Sequence, residues 1–266
     1  MNDWLALCRD AVADLRGVLA DLPMRADREP VVGAGMGGDD TTAIDAAAER
    51  VIVERLRSSG ESFVLISEEL GREVVGENPE LWVVLDPIDG SLNAKRGLPF
   101  FAVSIAFAHG PTMGDVDVGY VYDFGTGEEW TAERGGGAWL NGERLGGERP
   151  KGEIEILAFE ATTTALVSEH AAAVSQLAYR LRVFGSLALS LCHLAAGRVD
   201  AVCSLKEARS VDIAAAQLLV REAGFAIDLF DDGGIDRAPL DVEGRSRVAA
   251  AGTRELCEQL AAALAE

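Results

Sequence analysis

The chain has 266 residues, 48% of them hydrophobic, enough for one large core or two closely packed halves, and this excludes a disordered chain. Asp and Glu number 44 against 24 Lys and Arg, for a formal charge of −20. A surface of that sign repels nucleic acid and anionic membranes, so neither is an expected partner.

The N-terminus lacks the basic start and apolar run of a secretory leader. Trp4, Leu5, Cys8, Val12, Leu15 and Leu19 recur at helical spacing instead, which predicts an amphipathic helix over about 2–22. No apolar run reaches the roughly 18 residues of a membrane span, so a cytoplasmic protein is expected. A glycine-rich stretch and Asp39-Asp40-Thr41-Thr42 precede a second helix, with Ile44, Ala48, Ile52 and Leu56 on one face. Thr41 or Thr42 can cap it, and Asp45 lies in its first turn.

Apolar strands follow at Phe63–Ile66 and Leu81–Leu85. Segments 101–107, 116–122 and 129–131 read as an antiparallel meander with glycine-rich turns. After about Arg149 strands and helices alternate: strands over 154–159, 182–184, 199–203 and 248–251, helices over 169–178, 186–196 and 211–223, and a last helix capped by Thr253. The expected organisation is an α+β half at 1–149 and an α/β half at 150–266, forming one catalytic unit.

Three acidic clusters lie just past a strand or at a helix start: Glu68-Glu69, Asp86 with Asp89, and Asp212. Carboxylates without His or Cys favour hard cations such as Mg²⁺ or Mn²⁺. Converging carboxylates also repel one another unless a cation sits among them. Taken singly, Glu68-Glu69 reads more readily as a solvated turn, and Asp212 reads equally as a plain helix cap. The hexapeptide Asp86-Pro87-Ile88-Asp89-Gly90-Ser91 is more specific. Pro87 stiffens it, Gly90 permits close backbone approach, and the Gly90 and Ser91 amides can hold a phosphate. A metal pair beside a phosphate pocket is the arrangement that phosphate-ester hydrolysis needs.

Four segments carry a resemblance to the inositol monophosphatase family, and within it to archaeal members that act on both inositol monophosphate and fructose 1,6-bisphosphate. They are Ile66–Glu69, Asp86–Asn93, Ala132–Gly142, and Val211–Ala216 with Glu222-Ala223-Gly224. The resemblance implies a layered αβαβα sugar-phosphatase fold in the α+β class, with an antiparallel sheet in the first half and a mixed sheet in the second. It implies a homodimer and two to three Mg²⁺ ions. Glu68, Asp86 and the Ile88 carbonyl would hold the first ion; Asp86, Asp89 and Asp212 the second. Glu68 and one of Asp39 and Asp40 would reach a third through water. Ser91 would orient the attacking water, with Asp45 as its hydrogen-bond partner. The Gly90 and Ser91 amides and Asp89 would contact the phosphorylated substrate. Ser186 and Leu187 stand where the family touches the sugar or inositol ring. Arg182 and Lys206, with Arg209, read either as anion contacts for a second phosphate or as salt-bridge partners.

Two alternatives remain at this level: a 3′-phosphoadenosine nucleotide phosphatase, which calls for a base-stacking aromatic, and a noncatalytic family member that acts as a regulatory binding protein. The four cysteines stand apart in apolar contexts and read as buried thiols. Only three lysines (Lys95, Lys151, Lys206) accompany the acidic excess. That surface suits a halophilic cytoplasm, where salt screens self-repulsion; an acidic protein of a GC-rich genome is the plain alternative.

Overall fold

A computed structural model describes residues 4–36, 40–147, 151–160, 163–230 and 233–265. The first part of the chain contains helices α1 (Trp4–Asp21), α2 (Arg25–Arg28) and α3 (Ala43–Ser58), with a small hairpin of β1 (Val31–Ala34) and β2 (Asp40–Thr42) before α3. Strands β3 (Phe63–Ser67), β4 (Gly71–Val75) and β5 (Leu81–Asp89) lead to the short helix α4 (Ser91–Arg96). The meander is β6 (Ala102–Ala108), β7 (Val116–Asp123), β8 (Glu129–Glu133), β9 (Gly137–Leu140) and β10 (Glu143–Arg144). The rest comprises β11 (Ile154–Glu160), α5 (Thr164–Leu177), β12 (Ala178–Arg182), α6 (Leu187–Ala195), β13 (Ala201–Ala208), α7 (Ser210–Glu222), β14 (Ala226–Leu229), β15 (Ser246–Ala251) and α8 (Arg254–Leu264).

Two sheets organise these elements. Eight strands in the order β10-β9-β8-β7-β6-β5-β3-β4 form the first, antiparallel except where β3 runs parallel to β5. Five strands in the order β12-β11-β13-β15-β14 form the second, which is mixed.

Strand periodicity explains the layering. Successive side chains of a strand face opposite sides, so a strand buried on both faces feeds two cores. In β6, Val103, Ile105 and Phe107 pack with α1 and α3, while Ala102, Ala106 and Ala108 face the core shared with α6 and α7. In β15, Val248 and Ala250 face that same middle core, and Ala249 and Ala251 face the outer one under α5 and α8. The result is αβαβα. The middle α layer lies between two sheets, and α6 accordingly buries eight of its nine residues. The four cysteines are buried free thiols. Among the described residues no helix is long and apolar enough to cross a membrane.

Most expected elements appear, with shifted ends. The strand expected over 182–184 lies instead at Ala178–Arg182, and α5 starts earlier than expected, capped by Thr163, whose hydroxyl accepts from the Leu166 amide. Asp39 lies outside the described residues.

Candidate active site

Asp86 and Asp89 are three residues apart, so a regular strand would point them to opposite faces. The pairing shows why they do not. Asp86 stands opposite Ser104 and Asp89 opposite Ala102, so three steps on β5 match two on β6. The extra residue is a bulge between Asp86 and Asp89, a stretch that contains Pro87, which has no N–H to give to the ladder. Asp86 and Asp89 therefore line one cleft of about 570 Å³ together with Glu68, Ile88, Gly90, Ser91 and Asp212.

Each acid has its own support. Glu68 follows β3, whose last residue Ser67 bonds to the buried Glu49. Glu49 also accepts the Glu69 and Leu70 amides at 3.3 and 3.2 Å, which fixes the turn that carries Glu68. Asp86 Oδ1 accepts the Ile88 amide at 3.0 Å. Asp89 Oδ2 accepts the Ser186 hydroxyl at 2.5 Å and the Ala188 amide at 2.7 Å. Asp212 sits in the first turn of α7 and accepts the Arg209 amide at 2.6 Å. Gly90 takes φ +91°, and a Cβ there would lie 2.8 Å from the Phe100 carbonyl oxygen and 3.0 Å from that of Gly185. Only glycine fits that turn.

The acids perturb one another. Burial first, then Glu68, Asp89 and Asp212, push the Asp86 carboxyl well above its usual range. Burial pushes Asp89 up to about 7 against the pull of Ser186. Glu68 is raised by burial, with Arg209 opposing. Arg209 Nη2 donates to Glu68 Oε1 at 2.6 Å and to Asp212 Oδ1 at 2.8 Å.

Carboxylate oxygens and the Ile88 carbonyl, with no imidazole or thiol among the described residues that line the cleft, form a donor set that suits Mg²⁺ or Mn²⁺ by chemistry. Among the described residues no three acidic, His or Cys side chains already close around one point as a ligand set. Arg209 stands between Glu68 and Asp212 instead.

Other expected residues fall variously. Ser186, Leu187 and Lys206 line the cleft. Ser91 Oγ donates to the Ile88 carbonyl at 2.9 Å, so the expected Ser91–Asp45 bond is not formed. Asp45 accepts from the Thr42 hydroxyl at 2.5 Å and lies 3.7 Å from Lys95 Nζ, because its place in the first turn of α3 favours capping its own helix. Asp45 and Asp40 do not line the cleft. Arg182 does not line it either: it is exposed at the end of β12, with Nη1 donating to the Leu181 carbonyl at 2.8 Å. The next residues enter the cleft because Glu160 accepts the Phe184 and Gly185 amides, both at 2.8 Å. Arg209 takes the salt-bridge role, one of the two read for it.

Glu49, Glu160 and Arg245 are not among the residues expected from the sequence, and Asn93 stands in the Asp86–Asn93 segment without a role of its own. Asn93 Nδ2 donates to the Phe100 and Phe184 carbonyls at 2.8 and 2.7 Å and so joins both walls. Glu160 carries the same signal as Glu68 and Asp86, an acid at the end of an apolar strand. Arg245 lines the cleft from a loop and carries no pattern at all.

The sequence model of the inositol monophosphatase family matches residues 9–266. A fructose-1,6-bisphosphatase/inositol-1-monophosphatase of Methanothermobacter thermautotrophicus is 34% identical, over 88% of this chain and 86% of its own. One from Archaeoglobus fulgidus is 32% identical over 95% of each. Nus factor SuhB of Escherichia coli is 39% identical over 73% of each. Among solved structures, an inositol monophosphatase-fructose 1,6 bisphosphatase superposes with TM-score 0.84 at 27% identity, covering 98% of this chain and 99% of its own. Family match, relatives and layered fold agree: the chain belongs to the inositol monophosphatase family.

Proposed function

We propose that the protein is a Mg²⁺-dependent phosphatase that hydrolyses phosphomonoesters of small metabolites, namely inositol monophosphate, fructose 1,6-bisphosphate or both. The observation that carries this is the bulge in β5, which turns Asp86 and Asp89 into one cleft with Glu68 and Asp212. Glu68, Asp86, Asp89, Asp212 and the Ile88 carbonyl are the groups that would hold the ions. Bound divalent ions would make water a better nucleophile and neutralise charge on the phosphate and the leaving oxygen. Ser91, which donates to the Ile88 carbonyl at the start of α4, would orient that water and the phosphate. Ser186, Leu187 and Lys206, which line the cleft, would face the alcohol portion, with Lys206 and Arg245 as cations for a second phosphate. The two archaeal relatives carry both substrate names, which supports this pair. We further propose a cytoplasmic homodimer as the working form.

Phosphate release from each substrate, with Mg²⁺ and with EDTA, tests the reading. No release from either substrate in Mg²⁺ overturns it.

The nucleotide alternative weakens, because Phe184 is the only aromatic residue among the described residues that line the cleft. The regulatory alternative draws support from the relatives named as Nus factors. Against it stands the retention of all four carboxylates and Ser91. Full Mg²⁺ occupancy by calorimetry without turnover on either substrate would favour it.

A further inference from the structure

Arg209 is buried at 7% exposure and spans two carboxylates that come from the two halves of the chain. Its Nη2 lies 2.6 Å from Glu68 and 2.8 Å from Asp212, and Nε reaches Asp212 Oδ2 at 3.3 Å. Its Nη1 is also buried, yet it has no hydrogen-bond partner among the described residues. A buried arginine with a purely structural role satisfies its whole fork, because an orphaned donor is costly. Arg209 satisfies only part of it, so its position is a compromise set by charge.

That charge is needed. Glu68, Asp86, Asp89 and Asp212 share one cleft and would otherwise repel one another. A guanidinium at 2.6 Å also shields the Glu68 oxygen from any other cation. A divalent ion that takes Glu68 and Asp212 would stand against Arg209 as a like charge at short range.

We propose that Arg209 is an internal counter-cation that competes with the divalent ion for Glu68 and Asp212. It holds the acidic cleft together by itself, gives up at least one carboxylate as the ion enters, and so sets the ion concentration at which the site fills. The idea rests on the metal reading above and adds the competitor to it.

The test uses the full chain as wild type, Arg209→Met and Arg209→Lys. Mg²⁺ binding is measured by calorimetry, and thermal unfolding is followed in EDTA and in Mg²⁺. Arg209→Met should lose more than about 5 °C of Tm in EDTA, since it leaves buried acids unpaired. It should also bind Mg²⁺ at least about tenfold more tightly than wild type and gain more Tm from the ion. Arg209→Lys, which keeps the charge and loses the fork, should fall between the two. If Arg209→Met is unfolded in EDTA, refolding by Mg²⁺ supports competition, and a chain still unfolded at saturating Mg²⁺ overturns it. Wild type that binds Mg²⁺ while Arg209→Met binds no tighter overturns this inference alone. Wild type that binds no Mg²⁺ overturns the metal reading and this inference with it.

Discussion

Ser186 donates its hydroxyl to Asp89 at 2.5 Å across 97 residues of chain, and the same oxygen accepts the Leu189 amide at 3.2 Å. One side chain thus caps α6 and fixes an acid of the opposite half. Ser186→Ala removes both bonds and leaves a buried carboxylate short of a donor. The expected cost is about 2–3 kcal/mol, read as a lower urea midpoint. Ser186→Thr keeps the hydroxyl and should recover most of it.

Gly90 is a second fixed point. An alanine there combines a positive φ with a clash against two carbonyl oxygens, one from each wall of the cleft. Backbone oxygens cannot swing aside. Gly90→Ala should cost more than about 2 kcal/mol and reduce phosphate release far more than the stability loss explains. A variant within about 0.5 kcal/mol of wild type would show that the turn opens more freely than this packing allows.

Asp86→Asn separates stability from function. The asparagine oxygen can still accept the Ile88 amide, and one member of a repelling buried set becomes neutral. In EDTA the variant should be at least as stable as wild type. In Mg²⁺ its turnover should vanish, because one carboxylate is expected to serve two ions. Retention of more than about a tenth of the activity removes that shared role.

Glu160 supplies a pH test at an acid outside the proposed ion ligands. Burial raises its pKa above the ordinary 4.5, against hydrogen bonds from Ser190 and the Phe184 and Gly185 amides. The folded chain therefore binds this proton more tightly than the unfolded chain does. Its contribution is complete below pH 4.5 and is lost as pH rises through the raised folded value. Glu49, also raised by burial, acts in the same direction. Urea midpoints in EDTA should fall from pH 5 to pH 8, and Glu160→Gln should fall less steeply. Parallel slopes would mean that Glu160 titrates alike in both states.

A net charge of −20 predicts a response to salt. Screening relieves surface repulsion, so Tm should climb with KCl toward molar concentrations. A protein most stable near zero salt is not adapted to a saline cytoplasm.

Much of this was legible in the sequence because it is local. An apolar strand that ends in Asp, a proline and a glycine announces a strand end with ligands on it, and helical periodicity places α1, α3 and α7. What was not legible depends on contacts made across the fold. The turn of Asp86 and Asp89 to one face comes from a bulge defined only by its partner strand. The strand expected over 182–184 is displaced because Glu160, more than twenty residues earlier, takes the Phe184 and Gly185 amides that a strand would have used. The edge strand β4 lacks the doubly buried pattern that marks central ones, and β14 has it over only four residues. The Asp45–Ser91 pairing came from resemblance, and local capping by Thr42 prevails over it here.

The helix that brings Asp212 into the cleft meets the first sheet at Gly119, where even a methyl group would come within 2.6 Å of the Ala215 carbonyl oxygen. Backbone lies almost on backbone there, with no side chain between to act as a lubricant. The middle layer behaves as a keel that cannot slide along the sheet. Substrate entry and product escape then leave this layer where it is, and amide exchange should be slowest in α7 and β7.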